Sequence, residues 1–142
     1  MMKKTIFKIY LIILFFTPNY LMSNTEYFEK GLILFKNKKL NEAKFKFEQD
    51  IVFNPKSEMS YLYLSKIFKS FENKNLEEQN LNTVILINPK NEEAIYNLAK
   101  LKLESSDYKK SKELNDRLMS ICNNFCEKSK KLKKEIENLS KK

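Results

Sequence analysis

The sequence predicts an all-α protein, and three observations predict it. One glycine and three prolines in 142 residues leave little material for tight turns or hairpins. Apolar residues recur at intervals of three and four and seldom alternate with polar ones, which is the period of helices rather than strands. The stretch Phe53-Asn54-Pro55-Lys56-Ser57-Glu58 returns as Ile87-Asn88-Pro89-Lys90-Asn91-Glu92, its prolines 34 residues apart. A fixed period of that size marks a helical unit that buries its apolar face only by stacking on its neighbour.

The chain begins with a basic start, Met1-Met2-Lys3-Lys4, then an apolar stretch from Ile6 to Phe16 interrupted by Lys8 and closed by Thr17-Pro18-Asn19. This is the layout of a secretory signal peptide, and a membrane-spanning helix would need roughly 20 apolar residues. Residues 1–23 are expected to be removed after Ser23, sending the protein to the periplasm or cell envelope; the alternative is an uncleaved inner-membrane anchor formed by residues 6–22. No Cys lies near the cut, which closes the lipoprotein route. Loss of Lys3, Lys4 and Lys8 takes the formal charge from +9 to +6, and the seven Lys against three Glu from Glu127 to Lys142 account for +4 of that. The basicity is therefore local to the tail.

From Tyr27 the repeat body starts, with Tyr27, Leu34 and Phe35 on one helix and Leu40, Ala43, Phe47, Ile51 and Phe53 on the next. The polar Asn37-Lys38-Lys39 turns between them, and Asn54-Pro55 ends the pair because Pro disfavours the helical conformation in the residue before it. Gly31 faces the second helix, with Ala43 as the small residue opposite. A Gly inside a helix costs about 0.5–1 kcal/mol relative to Ala, so close packing accounts for it. The second copy has Tyr61, Leu64, Ser65 and Phe68, then Leu81, Val84, Ile85 and Ile87. Here Glu77 stands where Ala43 did, which predicts a longer turn through Glu72-Asn73-Lys74-Asn75 and a shorter second helix starting near Leu76. The third has Ile95, Leu98 and Ala99, the turn Ser105-Ser106-Asp107 with Asp107 or Ser106 as N-cap, then Tyr108, Ser111, Leu114, Leu118 and Ile121. Asn123-Asn124 replaces the proline. Phe125, Leu132, Ile136 and Leu139 then make a narrow apolar stripe on a Lys- and Glu-rich helix, as a cap with one wet face requires.

Tyr27, Gly31, Leu34, Ala43, Phe47 and Pro55 fall at the separations of the tetratricopeptide (TPR) repeat, and the chain resembles an exported bacterial TPR protein. The resemblance implies antiparallel helix pairs stacked as a right-handed superhelix: repeats at 24–55, 56–89 and 90–123, with a basic capping helix and tail at 124–142. It implies a non-enzymatic scaffold whose first helices line a concave groove holding an extended peptide or a partner helix. Carried over by frame, that groove shows Phe28, Leu32 and Phe35; Leu62, Tyr63, Lys66 and Lys69; and Tyr96, Asn97, Lys100 and Leu103. Aromatic anchors beside lysines suit a peptide carrying apolar and acidic residues. The Lys, Asn and Arg set with which one TPR subgroup holds a terminal carboxylate is not reproduced.

Other classes find little footing. There is no His, no Gly-rich phosphate loop and no nucleophile motif, so no catalytic residue, cofactor or metal is expected. Nucleic acid is unsuited to a near-neutral body. Cys122 and Cys126, four apart with no further ligand nearby, are read as a local disulfide in an oxidising compartment or as two separate thiols, not a metal site. Two alternatives stay open beside the scaffold: a homo-oligomeric structural protein of the envelope, in which the open groove or the end of the stack meets another copy, and a membrane-surface protein held by an uncleaved N-terminal helix and the basic tail.

Overall fold

The computed structural model describes residues 25–140, so the expected signal segment at 1–23 lies outside them. Among the described residues there are seven helices: α1 (Glu26–Lys36), α2 (Leu40–Phe53), α3 (Glu58–Ser70), α4 (Lys74–Ile87), α5 (Glu92–Glu104), α6 (Tyr108–Ile121) and α7 (Cys126–Leu139). α1 and α2, α3 and α4, and α5 and α6 form antiparallel pairs; α2 packs on α3, α4 on α5, and α7 on α6 and the edge of α5. The result is an all-α superhelix of helix pairs.

The turn inside each pair repeats in detail. Lys38, Glu72 and Ser106, spaced by the repeat period, all take left-handed backbone with φ of 60°, 55° and 62°. The next residue's N–H reaches back to the helix end: Lys39 to the Leu34 carbonyl at 3.0 Å, Asn73 to Phe68 at 2.9 Å and Asp107 to Lys102 at 2.9 Å. These are Schellman closures, which satisfy the orphan carbonyls of the first helix. Asn73 and Asp107 then cap the second helix by accepting from the N–H groups of Leu76 and Lys110. Between pairs the chain is extended at Asn54 (φ −131°) and Asn88 (φ −130°), as the following prolines demand.

Because the turn is the same in every pair, the second copy is not the irregular unit that Glu77 suggested. α4 begins at Lys74 and runs 14 residues, the length of α2. Glu77 is simply buried, 4% exposed, with Lys69 Nζ 3.9 Å from its carboxylate. Burial pushes its carboxyl above the ordinary range, the nearby Glu104 adds to that, and Lys69 and Lys74 oppose it.

Two apolar clusters fill the stack. Phe28, Ala43, Phe47, Leu64, Ile67 and Phe68 bind the first pair to α3. The larger cluster runs from Leu62 and Leu81 through Ile95, Leu98 and Leu118 to Leu132 and Ile136 of α7. A Cβ on Gly31 would stand 2.8 Å from Phe47 Cε1, so the Phe47 ring, more than Ala43, sets the close approach of α1 and α2. Two residues expected in the core are exposed: Phe53 at 68%, stacked flat on Tyr27 at 5.2 Å, and Leu139 at 39%. One buried carboxylate ties pairs together. Asp50 of α2 accepts hydrogen bonds from the hydroxyls of Thr25 and Ser60, linking the starts of α1 and α3.

Candidate partner-binding groove

α1, α3 and α5 present their free sides along one face of the stack, and the sequence-assigned groove residues divide there by depth. Phe28, Leu62 and Leu103 are core residues, at most 7% exposed. Their positions were assigned by frame to the open face; instead Phe28 packs against Phe47, and Leu62 and Leu103 join the cluster of the later pairs. Leu32, Phe35, Tyr63, Lys66, Tyr96, Asn97 and Lys100 are half-buried, and Lys69 is exposed.

The half-buried residues make three successive patches. At the first pair, Tyr63 stacks on Phe47 (5.1 Å, 12° between planes) and takes the edge of Phe35 at 5.0 Å, so its ring is fixed by the core while Leu32 and Phe35 flank it. At the middle, Lys66 Nζ lies 4.8 Å over the Tyr63 ring and 2.9 Å from Glu93 Oε1, joining α3 to α5. At the cap end, Tyr96 packs on Phe125 at 5.5 Å, and Lys128 Nζ sits 4.2 Å over the Phe125 ring. Burial raises the Tyr96 phenol above its ordinary value and Glu135 adds to this, while Lys69 opposes it.

Glu93, Phe125 and Lys128 belong to this face and were missed. For Glu93 a signal existed: it precedes Asn97 and Lys100 by four and seven residues, one helical side. For Phe125 and Lys128 there was none, because their place depends on how the loop from Cys122 to Cys126 folds back. That loop is held twice. Cys122 and Cys126 are disulfide-bonded with Cα atoms 5.3 Å apart. The Glu92 carboxylate accepts the backbone N–H groups of Asn123 (2.8 Å), Asn124 (2.9 Å) and Phe125 (2.8 Å). Burial pushes Glu92 upward, but these three donors outweigh it and hold its carboxyl below the ordinary range. Glu58, one repeat earlier, does the same to the preceding junction by accepting from the Asn88 and Asn91 side chains at 2.9 and 2.5 Å.

Among the described residues no group of His, Cys, Asp or Glu could hold a metal, and no helix is long and apolar enough to cross a membrane. No protein-family model matches the chain, and no curated protein matches it. Solved structures do. The first TPR domain of Spaghetti (RPAP3), bound to the HSP90 peptide SRMEEVD, is similar with a TM-score of 0.71 at 18% identity, covering 80% of this chain and 90% of that one. The Yersinia enterocolitica type III secretion chaperone SycD, in complex with a peptide of the translocator YopD, gives 0.72 at 14%, covering 82% and 93%. The Sgt2 TPR domain from Aspergillus fumigatus gives 0.70 at 14%, covering 86% and 87%. With the 34-residue period, the three Schellman-closed pairs and these likenesses together, the chain is a protein of the tetratricopeptide-repeat fold.

Proposed function

We propose that the protein is a non-enzymatic scaffold that holds an extended peptide or a partner helix against α1, α3 and α5, and that it works in the bacterial cell envelope after export. One observation carries the binding reading: the open face of the first helices keeps Leu32, Phe35, Tyr63 and Tyr96 partly exposed beside Lys69 and Lys100. Rings fixed by core contacts supply contact area at little ordering cost, and the lysines supply steering toward acidic residues. Two similar structures hold peptides, which supports the same use of this face. The Cys122–Cys126 disulfide and the layout of residues 1–23 support the exported location.

Affinity capture from the native envelope tests the binding half, comparing the natural chain with Leu32→Lys and Lys100→Glu. Both sites are only partly buried, and circular dichroism checks that each variant keeps its fold. Partner recovery should fall at least tenfold, and unchanged recovery with both variants would remove the groove as the site. Mass spectrometry of the N-terminus tests the export half, where an intact Met1 on a cytosolic protein would remove it.

A further inference from the structure

Gly31, Ser65 and Ala99 stand one repeat period apart in α1, α3 and α5, and all three are buried. They mark where each first helix meets its second; Ser111 of α6 donates to the Ala99 carbonyl at 2.8 Å across that contact. The next step of 34 residues falls on Lys133 in α7, which is exposed. α7 uses Ser129, Leu132 and Ile136 to pack inward, and Lys128 turns toward Tyr96. The outer side of α7, with Lys133 among its residues, borders a cleft of about 560 Å³.

Its walls are Lys130, Lys131, Lys133 and Lys134, with Met119 of α6 at its edge. Met119 is 39% exposed, an apolar contact point among charges. Of the two acids that line it, Glu127 is already engaged by Lys130 at 2.8 Å, whereas Lys131, Lys133 and Lys134 have no ion pair among the described residues. Lys130, Lys131 and Lys134 recur at helical spacing between Glu127 and Glu137, so the basic charge forms a strip along the middle of α7.

We propose that this cleft is a docking site for an acidic amphipathic helix of a partner protein, laid along α7 as the second helix of a fourth pair. Charge complementarity selects the partner. Elsewhere in the stack a small residue lets two helices touch, whereas Lys133 stands at that position here and requires a carboxylate opposite it. The lysine stems and Met119 supply an apolar floor for a narrow stripe of Leu or Ala. A flat anionic surface would use the ammonium groups but neither the concavity nor Met119. Lys130, Lys131 and Lys134 follow Tyr96, Asn97 and Lys100 by one repeat period, so the cleft adjoins the cap end of the groove; Leu32, at the far end of the groove, and Met119 separate the two in the test.

The test is fluorescence anisotropy of the full chain with a dye-labelled helical peptide of about four turns, Glu on one face and Leu and Ala on the other. A peptide of identical composition with Glu spread around the helix serves as control. Saturable binding of the first is expected, at least tenfold tighter than the control. The double variant Lys131→Glu/Lys134→Glu should weaken it at least tenfold, Met119→Glu several-fold, and Leu32→Lys not at all; both lysines are exposed, and circular dichroism checks that each variant keeps its fold. Equal binding of both peptides, or no saturable binding, overturns the proposal. So does capture of phosphatidylglycerol vesicles that depends on Lys131 and Lys134 but not on Met119, when the peptide fails to bind.

Discussion

A methyl group at Gly31 would press on a ring that cannot retreat. Phe47 is fully buried and wedged between Phe28 and Tyr63, so the 2.8 Å contact is not relieved by a flexible side chain. Overpacking costs roughly 1–3 kcal/mol, and the helix-propensity benefit of Ala offsets at most about 1 of it. Gly31→Ala should therefore destabilise the protein by about 1–2 kcal/mol in urea unfolding. Glu77 gives a prediction of opposite sign. Its carboxyl is raised in the folded state, so the folded chain binds the extra proton and stability falls as pH rises from the unfolded carboxyl range through the raised value. Glu77→Gln should raise the thermal midpoint at pH 7, with the difference vanishing below about pH 4. That Gly31 marks a close approach was legible, since an unforced Gly in a helix asks for a reason. Its partner ring was not, nor was the burial of Asp50 and Glu77. An acid in an apolar row reads as solvent-facing, and the hydroxyls that satisfy Asp50 lie 25 and 10 residues away in the chain.

At the scale of elements, the three left-handed turn residues are the accessible target. Lys38, Glu72 and Ser106 are exposed and carry side chains in a conformation that costs a non-glycine residue about 1–2 kcal/mol, part of which glycine's freedom in the unfolded chain cancels. Replacing each by Gly should stabilise by about 0.5–1 kcal/mol, additively across the three turns, as read from urea midpoints. The absence of Gly at these places is also why the turns could be located but not described from the sequence; polar clusters mark a turn without specifying its closure. The junction before α7 makes a second prediction. Because Glu92 is held below its ordinary carboxyl range, its contribution is present above that range and lost as pH falls through the lowered value. Glu92→Gln should speed amide hydrogen exchange at Asn123, Asn124 and Phe125 by on the order of tenfold at pH 7, while α1 to α4 exchange as before.

Across the whole molecule, the period and the apolar rows were enough to order the pairs, because each depends on contacts near in sequence. Depth on the open face was not. Residues 28, 62 and 96 share one register, yet Phe28 and Leu62 are core and Tyr96 is half-exposed, since the neighbours above and below differ from pair to pair. The junction leading into the cap is secured covalently as well as by hydrogen bonds. A disulfide closing a loop of about five residues is worth roughly 2 kcal/mol on chain-entropy grounds. Reduction, or Cys122→Ser with Cys126→Ser, should lower stability by up to about that amount, while leaving the helical circular dichroism intact at room temperature. Leu132→Ala should cost about 2–4 kcal/mol, because Leu132 is 1% exposed and belongs to the cluster that reaches back to α3.

The two glutamates that grip the loops closing their own pairs give the stack a mechanical polarity. Glu58 fastens the second pair to the start of the third, and Glu92 with the disulfide fastens the third to α7. The first pair is joined to the rest through the Phe47 cluster and the hydroxyl bonds of Asp50. Pulled from both ends in an optical trap, the molecule should yield at α1 and α2 first and at the C-terminal pairs last. A tether anchored at α7 would thus keep its hold under a load that has already stripped the opposite end.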